Sequence, residues 1–292
     1  MISAVVPIHE SAVRLRRNLA SLQRALELSG VSWEIVVVLD GRIDDMTVKN
    51  GVRVVALSDP LGYGPAVNAG VASAGGDELL VLNDDVRLED TTVERLREAL
   101  APERLFAVVP SIRSPLAACG DEAGKGVRWR AGLMEVEERT AGSGQEAFYP
   151  VGCCFLCHRC RFQELGGYDP VYAPYLWEDV DLGLRAWQRG WATRVEPAAI
   201  CHHEGSATIG QRPMDERVRL WHRNWFLLHL RNVLDPELRG ASLGAMAAYA
   251  LLDGREPVRA GLREALDAFA ECGTRVRDGV SERDVLLRFG AL

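Results

Sequence analysis

The chain has 292 residues, 48% of them hydrophobic and 26% charged, with a formal net charge of −7 at pH 7. These values are typical of a globular protein that is long enough to bury its own core. The acidic balance and the absence of a long basic run exclude a nucleic-acid-binding protein.

The first third of the chain alternates apolar runs with helical patterns. Apolar runs predict strands over residues 2–8, 33–39, 52–57, 78–82 and 105–109. Helical patterns follow Ser11, Ala66 and Thr91, and Arg14 to Arg17 are predicted to lie on the solvent side of the first helix. Strands that are apolar on both faces and alternate with helices predict an α/β fold with a mostly parallel central sheet flanked by helices.

The second half of the chain is less regular and ends in helices. Short alternations between residues 111 and 146 predict hairpins or a mobile insertion. A helix is predicted from Glu178 to Arg189, followed by a short strand from Thr193 to Val195, and the pattern beyond residue 213 is helical.

The start of the chain and its longest apolar stretch bear on location. Met1 leads directly into a strand, so no signal peptide is predicted, and residues 241–252 fall short of the ~20 residues that a membrane-spanning helix needs. We therefore expect a cytoplasmic protein. The last helices carry Trp221, Trp225 and Arg223, a mixture that suits peripheral contact with a membrane surface, packing on the rest of the chain, or a homodimer contact.

Four cysteines, at positions 153, 154, 157 and 160, lie beside His158. A structural zinc site ordinarily takes its ligands from two clusters that are far apart in the sequence, and only one cluster is present here. We predict instead that these cysteines act as small hydrophobic side chains on a core strand.

Acidic side chains follow two of the predicted strands. Asp40 ends one strand, and Asn83, Asp84 and Asp85 end another. The carboxyl ends of parallel strands meet at the edge of the sheet where ligands bind. Carboxylates there can hold Mg²⁺ or Mn²⁺ together with phosphate oxygens, although a turn with solvated acids has the same local sequence.

Two further clusters carry chemistry in the second half. Glu178, Asp179 and Asp181 open a helix, just after the aromatic residues Tyr175 and Trp177. Acids in a first turn are favoured by the helix dipole alone, whereas a carboxylate beside aromatic faces also suits a sugar site. The pair at positions 202 and 203 consists of histidines, which either complete a metal site or are structural.

In chain order these motifs resemble those of family 2 glycosyltransferases. The donor-side motifs are Val5-Val6-Pro7-Ile8, Val38-Leu39-Asp40, Gly62-Tyr63-Gly64, Ala66-Val67-Asn68-Ala69-Gly70 and Leu82-Asn83-Asp84-Asp85. The acceptor-side motifs are Tyr149-Pro150-Val151-Gly152, Gly166-Gly167-Tyr168-Asp169, Trp177-Glu178-Asp179-Val180-Asp181 and His202-His203-Glu204-Gly205. The resemblance covers about residues 2 to 210.

The resemblance implies a GT-A fold and inverting transfer of a sugar from a nucleotide diphosphate donor to an acceptor hydroxyl. The GT-A catalytic domain is expected over residues 1–212, with the donor half ending at about residue 110, and a C-terminal helical extension over 213–292. The acceptor is expected to be a glycan, a lipid-linked molecule or a small molecule. The implied cofactor is a divalent cation, Mn²⁺ or Mg²⁺.

The same resemblance assigns a role to each site residue. Asp179 is the general base, with Glu178 as its neighbour, and Asp85 and His202 hold the metal, although His203 next to it leaves that register open by one residue. Acceptor contacts are expected from Trp177 and Tyr175, and donor contacts from Pro7, His9, Glu10, Asp40, Gly62, Asn68, Asn83 and Asp84.

Three other classes of protein fit the sequence less well. A sugar nucleotidylyltransferase is expected to carry a Gly-rich, Arg-containing loop after strand one, where this chain has His9, Glu10 and Ser11. A nicotinamide-dependent oxidoreductase needs Gly-x-Gly-x-x-Gly at the same place. A non-catalytic sugar-binding module is expected to lack the metal acid or the base, whereas Asp85 and Asp179 are both present.

Overall fold

The structure is a computed structural model of the chain. It describes residues 1–9, 12–43, 51–101, 104–115, 117, 120–140, 142, 144–205, 210, 212–276 and 279–292. None of the helices in these ranges is both long enough and apolar enough to cross a membrane.

A mixed sheet forms the centre of the molecule. Its strands are β1 (Ile2–Ile8), β2 (Trp33–Asp40), β3 (Val52–Leu57), β4 (Glu78–Leu82), β5 (Val86–Leu88), β6 (Leu105–Arg113), β9 (Glu146–Ala147), β10 (Cys154–His158) and β11 (Ala192–His203), while β7 (Lys125–Arg130) and β8 (Leu133–Glu138) form a separate hairpin. The order across the sheet is β3-β2-β1-β4-β10-β6-β11-β5, with β9 paired to β11. The four neighbouring strands β3, β2, β1 and β4 are parallel to one another. Strands β6 and β11 are also parallel, which confirms the mostly parallel sheet.

The described part of the chain forms nine α-helices. They are α1 (Val13–Leu28), α2 (Tyr63–Ser73), α3 (Thr92–Leu100), α4 (Arg159–Glu164), α5 (Glu178–Gln188), α6 (Met214–Asn232), α7 (Pro236–Asp253), α8 (Glu256–Cys272) and α9 (Glu282–Arg288). The expected N-cap of α1, Ser11, lies outside the described residues, and the helix begins after Ala12.

Strand β11 differs most from the sequence prediction. The short strand expected from Thr193 to Val195 is wrong, because β11 continues to His203 along β6 and then pairs with β5. Its pairing with β6 shifts between Glu196 and Ile200, around Pro197, and resumes beyond it. Proline cannot donate to a ladder, so the irregularity absorbs it without ending the strand. The extra residues place the histidine pair opposite β5, the strand that follows Asp85.

The central strands are buried on both faces, as their apolar runs predicted. Cys154 and Cys157 on β10 are fully buried, which confirms the core-strand prediction for them, while Cys160 on α4 is exposed. Strand β10 joins the two halves of the sheet, because it runs antiparallel between β4 and β6.

The C-terminal helices pack into the same core as the sheet. From α6, Trp225, Phe226 and Leu228 are buried in the hydrophobic cluster that also holds β1 and β10. Two polar contacts tie α6 to the hairpin, since His229 Nε2 accepts the Met134 N–H at 2.7 Å and Trp225 Nε1–H donates to the Met134 carbonyl at 2.6 Å. These helices are therefore built into the structure around the cavity described next.

Candidate active site

A cavity of about 540 Å³ opens at the carboxyl ends of β1, β2 and β4. Pockets of this size accept small organic ligands such as nucleotides. Of the predicted site residues, those that line it are Pro7, His9, Asp40, Gly62, Asn83, Asp84, Asp85, Tyr175, Trp177, Glu178 and Asp179. Motifs from both halves of the chain therefore line one cavity.

One wall of the cavity holds the acids that follow β4. Asp84 and Asp85 are both nearly buried, and the Oδ1 atoms of Asn83 and Asp85 have no hydrogen-bond partner within the described residues. Arg14 Nε lies 3.2 Å from both carboxylate oxygens of Asp84. Burial raises the pKa of Asp84 to about 6, although Arg14 opposes that shift. The prediction that Arg14 faces solvent is wrong, because its side chain is drawn in to this carboxylate.

His203, rather than His202, lies beside the carboxylate of Asp85. Successive side chains of a strand point to opposite faces, so only one of the two can reach the end of β4. His203 Nε2 lies 3.4 Å from Asp85 Oδ1, whereas His202 Nε2 lies 2.9 Å from Glu89 Oε1 on the other face. Of the two histidines, only His203 therefore lies beside Asp85, and His202 does not.

Glu122 is a member of this wall that the sequence did not single out. Its Oε2 lies 3.2 Å from His203 Nδ1, so the imidazole stands between two carboxylates. Burial opposes the charged imidazolium, yet contact with Asp85 and Glu122 raises the pKa of His203 to about 10. Glu122, His203 and the buried Cys153 each bring a ligand atom within 4.8 Å of the others. Glu122 lies in the irregular segment after β6, where no sequence motif marks it.

A second wall of the cavity carries the pair of acids that opens α5. Asp179 accepts hydrogen bonds from the Gly152 N–H at 3.2 Å and the Val180 N–H at 2.9 Å. Glu178 is 8% exposed, and its Oε2 has no hydrogen-bond partner among the described residues. Burial raises the pKa of both carboxyls, and the charge of Asp179 adds to the shift of Glu178. A carboxylate with a raised pKa is a stronger base toward a substrate hydroxyl.

The backbone just before this pair adopts an unusual conformation. Leu176 and Trp177 have φ values of 79° and 72°, which non-glycine residues rarely adopt. Asn224 on α6 holds this turn, because its fully buried amide nitrogen donates to the carbonyls of Tyr172, Tyr175 and Leu176 at 2.7, 3.0 and 2.8 Å. The C-terminal helices thus fix the position from which α5 starts.

Aromatic rings form the side of the cavity next to these acids. Trp177 packs edge-on against Trp221 with centroids 5.3 Å apart and stacks on Trp225 at 6.3 Å. Trp221, Tyr175 and Arg212 also line the cavity. Tyr175 Oη has no hydrogen-bond partner within the described residues, so the wall offers both apolar faces and a free hydroxyl.

Asp40 organises the glycine-rich loop that begins α2. Its two carboxylate oxygens accept the N–H groups of Leu61 at 2.6 Å and Gly62 at 3.0 Å. Gly62 has a φ of 94°, and a Cβ there would lie 2.4 Å from the carbonyl oxygen of Pro174. Only glycine fits at this contact, which also carries a hydrogen bond from the Tyr63 N–H to Pro174 at 2.8 Å.

One of the expected donor contacts, Asn68, lies away from the cavity. Its amide pairs with the backbone of Tyr168, donating at 2.7 Å and accepting at 3.0 Å. It therefore joins α2 to the acceptor-side segment instead of facing a ligand. Glu10 lies outside the described residues.

Comparison with known proteins identifies the family. The family model described as "Glycosyl transferase family 2" matches residues 3–166, which is more than half of the chain. The chain belongs to glycosyl transferase family 2. The glycosyltransferase is 29% identical over 243 residues to the N-acetylglucosaminyl-diphospho-decaprenol L-rhamnosyltransferase of Mycobacterium tuberculosis, covering 71% of this chain and 78% of that protein. It is 25% identical to the pre-mycofactocin glycosyltransferase of the same organism over 70% of this chain and 42% of that protein.

Solved structures share the fold of this glycosyltransferase at low identity. GalNAc-T7, crystallised with UDP, GalNAc and Mn²⁺, gives a TM-score of 0.65 at 16% identity and covers 99% of this chain, which spans 57% of that longer chain. The mannosyltransferase PcManGT from Pyrobaculum calidifontis, in complex with GDP-Man and Mn²⁺, gives 0.55 at 16% identity, covering 99% of this chain and 79% of that one. Both are GT-A proteins, so the GT-A fold is confirmed.

The residues of the first wall fit a divalent cation. Asn83, Asp85 and His203 all line the cavity, the Oδ1 atoms of Asn83 and Asp85 are buried without hydrogen-bond partners in the described residues, and His203 adds an imidazole nitrogen. Carboxylate and amide oxygens with one imidazole form a donor set that Mn²⁺ accepts and that leaves positions for phosphate oxygens.

Proposed function

We propose that this glycosyltransferase moves a sugar from a nucleoside diphosphate donor to an acceptor hydroxyl with inversion at the anomeric carbon. The observation that carries the proposal is the pairing of Asp85 with His203 on one wall and of Glu178 with Asp179 on the other wall of one cavity. Charge stabilisation for a leaving diphosphate and a base for the attacking hydroxyl are the two requirements of a direct displacement.

In this reaction Asp179 accepts the acceptor hydroxyl proton while the hydroxyl oxygen bonds to the anomeric carbon. The bond from that carbon to the phosphate oxygen breaks, and the nucleoside diphosphate leaves with the electron pair. Asp85 and His203 would hold Mn²⁺ or Mg²⁺, which would supply charge stabilisation for the phosphate oxygens. The N–H groups of Gly152 and Val180 keep Asp179 aimed at the cavity.

The acceptor that we infer is a sugar carried on a lipid diphosphate. The relative that is 29% identical is named for such an acceptor. The cavity provides Trp177 and Trp221 as stacking faces for a sugar ring, with Arg212 at the same wall as a positive charge for a phosphate. The sugar nucleotidylyltransferase alternative has no comparable support, since the family match is to glycosyltransferases.

The test begins with binding of UDP, GDP and dTDP, measured by thermal shift with Mn²⁺, Mg²⁺ or a chelator. We expect one nucleotide to raise the melting temperature only when the cation is present. The matching nucleotide sugars, with an L-rhamnosyl donor first, are then assayed on a polyprenyl-diphospho-N-acetylglucosamine acceptor, and the anomeric configuration of the product is read by NMR. No stabilisation by any nucleotide, or a retained configuration, overturns the proposal.

A further inference from the structure

His203 contacts a second carboxylate, that of Glu122, in addition to Asp85. His203 Nε2 points to Asp85 at 3.4 Å, and its other ring nitrogen, Nδ1, lies 3.2 Å from Oε2 of Glu122. The two carboxylates therefore occupy opposite sides of one imidazole ring. Only Asp85 belongs to the motif that ends β4.

An imidazole binds a cation through a nitrogen that carries no proton. The proton of the neutral ring must then sit on the other nitrogen, and a carboxylate that accepts this N–H fixes both the tautomer and the ring plane. The arrangement of Glu122, His203 and Asp85 has the order that such a device requires.

We infer that Glu122 is a positioning residue for the metal: it accepts the Nδ1–H of His203 and so presents Nε2 to a cation bound by Asp85. This inference rests on the proposed function in its metal-dependent form. Glu122 is not itself a ligand in this arrangement, because His203 separates it from Asp85.

Glu122 is held rigidly enough to play this part. The adjacent Asp121 anchors the segment, since its carboxylate accepts the Ile112 N–H at 3.0 Å, the Ala123 N–H at 2.9 Å and the Ser111 hydroxyl at 2.5 Å. The Glu122 N–H itself donates to the Ile112 carbonyl at 3.0 Å. Its side chain is 16% exposed, so water competes little for the carboxylate.

The nearby Cys153 offers a different arrangement, in which Glu122, Cys153 and His203 bind a cation directly. Sulfur is a soft ligand that suits Zn²⁺ and is disfavoured by Mn²⁺ and Mg²⁺. Asn83 and Asp85 supply hard oxygen atoms, and Asp85 lies on the Nε2 side of the His203 ring, so we place the cation there.

The experiment measures Mn²⁺ affinity by electron paramagnetic resonance in the full-length protein, with and without nucleoside diphosphate. Glu122→Gln is expected to weaken Mn²⁺ binding about 10- to 100-fold, the range seen when such carboxylate partners are lost. Glu89→Gln is the matched control, because Glu89 makes a like contact with His202, one residue away on the other face of β11. It is expected to leave Mn²⁺ affinity unchanged.

A second measurement separates orientation from simple charge loss. Nitrogen-15 NMR of the Mg²⁺-bound protein, with the His203 signals assigned by their loss in His203→Gln, is expected to show a protonated Nδ1 in the wild type. In Glu122→Gln, which is expected to bind less Mg²⁺ at the same concentration, we expect a smaller fraction of the ring in this Nδ1-protonated, Nε2-bound state. A wild-type ring protonated at Nε2 contradicts the inference, as does a larger loss of Mn²⁺ affinity in Glu89→Gln than in Glu122→Gln.

The proposed function and the role of Glu122 are overturned by different results. A wild-type protein that binds nucleotide but neither Mn²⁺ nor Mg²⁺ overturns the metal step of the proposed function. A wild-type protein that binds Mn²⁺ with an affinity that Glu122→Gln leaves unchanged overturns only the inference about Glu122.

Discussion

Burial and two backbone hydrogen-bond donors act on the pKa of Asp179 in opposite directions, and the net effect is a raised pKa. Burial disfavours its charge, while the N–H groups of Gly152 and Val180 favour it and fix its rotamer. The result is a carboxylate that is held in place by the backbone and is more basic than an ordinary aspartate.

Replacing this carboxylate tests its role as the base. We expect Asp179→Asn to lower kcat by about 10²- to 10⁴-fold, because the amide keeps the shape but cannot accept the proton. The dissociation constant of the nucleoside diphosphate should change little. Single-turnover transfer and isothermal titration measure the two quantities, and Asp267→Asn, at an exposed aspartate of α8, serves as the control. Near-normal turnover in Asp179→Asn removes it from the mechanism.

The residue types of the site were readable from the sequence, but their register was not. Asp85 follows a buried strand, so its place at the sheet edge followed from the strand pattern, and Asp179 lies in the first turn of α5, where the helical pattern put it. The choice between His202 and His203 depended on the course of β11 past Pro197, which local sequence does not determine. Glu122 needed a contact over 81 residues of sequence separation, and no periodic pattern encodes that.

Helix α6 acts on the site through the turn that precedes α5. Asn224 gives its amide nitrogen to three backbone carbonyls of this turn, and the turn contains the two left-handed residues Leu176 and Trp177. Without these bonds, the backbone that carries Glu178 and Asp179 is free to relax toward ordinary dihedral angles.

Asn224→Ala is therefore expected to affect both stability and turnover. Loss of the buried amide should lower the free energy of unfolding by about 1–3 kcal/mol, since it leaves buried carbonyls without a donor. It should also lower kcat while changing donor affinity little. Ser242→Ala removes a buried donor to the Gly132 carbonyl from α7, away from the turn, and should reduce stability without reducing kcat. Equal kcat values for the two variants contradict this role for Asn224.

His229 makes the contact between α6 and the β7–β8 hairpin dependent on pH. Its ring is buried, accepts the Met134 N–H and donates to the Trp225 carbonyl at 2.8 Å. Burial lowers its pKa from 6.5 to about 4, so the folded protein holds it neutral over a range where the unfolded chain binds a proton.

The sign of the effect follows from linkage. Because the folded pKa is lower than the unfolded pKa, stability from this group is fully present above pH 6.5 and is lost as the pH falls toward 4. The full loss is about 3 kcal/mol for one such group. Urea unfolding between pH 7 and 5 should show a smaller pH dependence for His229→Gln than for the wild type. Parallel profiles contradict the assignment.

Element types were predicted well because they depend on local periodicity. The central strands and the amphipathic α1 are where the apolar pattern put them. The segment from 111 to 146 carried no such pattern, and the structure forms the hairpin of β7 and β8 there, one of the two forms expected. Strand β9 within the same segment is only two residues long and exists through its pairing with β11, which the sequence does not express.

At the scale of the whole molecule, the predicted boundary at residue 212 does not coincide with a gap in the core. Helix α6 buries aromatic side chains against the hairpin and α5, and a buried polar network crosses the same line. In that network Asp181 accepts hydrogen bonds from Arg185 at 2.7 Å and from Asn232 at 3.1 Å, while Arg231 bonds Asp169 at 2.7 Å.

We therefore expect the fragment of residues 1–212 not to fold as an independent unit. Without α6, Trp177 is exposed and the charge of Asp181 has fewer partners. A buried charge that loses partners is strongly destabilising. The full chain should unfold in one calorimetric transition, and the fragment should lack near-ultraviolet circular dichroism. Two separate transitions in the full chain, or a cooperative fragment, support a divisible protein instead.

The contact between Gly62 and Pro174 also limits how this protein can be recombined with its relatives. The glycine-rich loop at the start of α2 contacts the loop before α5 through backbone atoms, with no side chain between them that could adjust. A donor loop transplanted from another glycosyltransferase brings its own backbone path, so a chimera that exchanges one loop alone meets a steric conflict at this point. Donor specificity is therefore best exchanged in blocks that carry both loops, and a library built by swapping the first 110 residues will be depleted of active members.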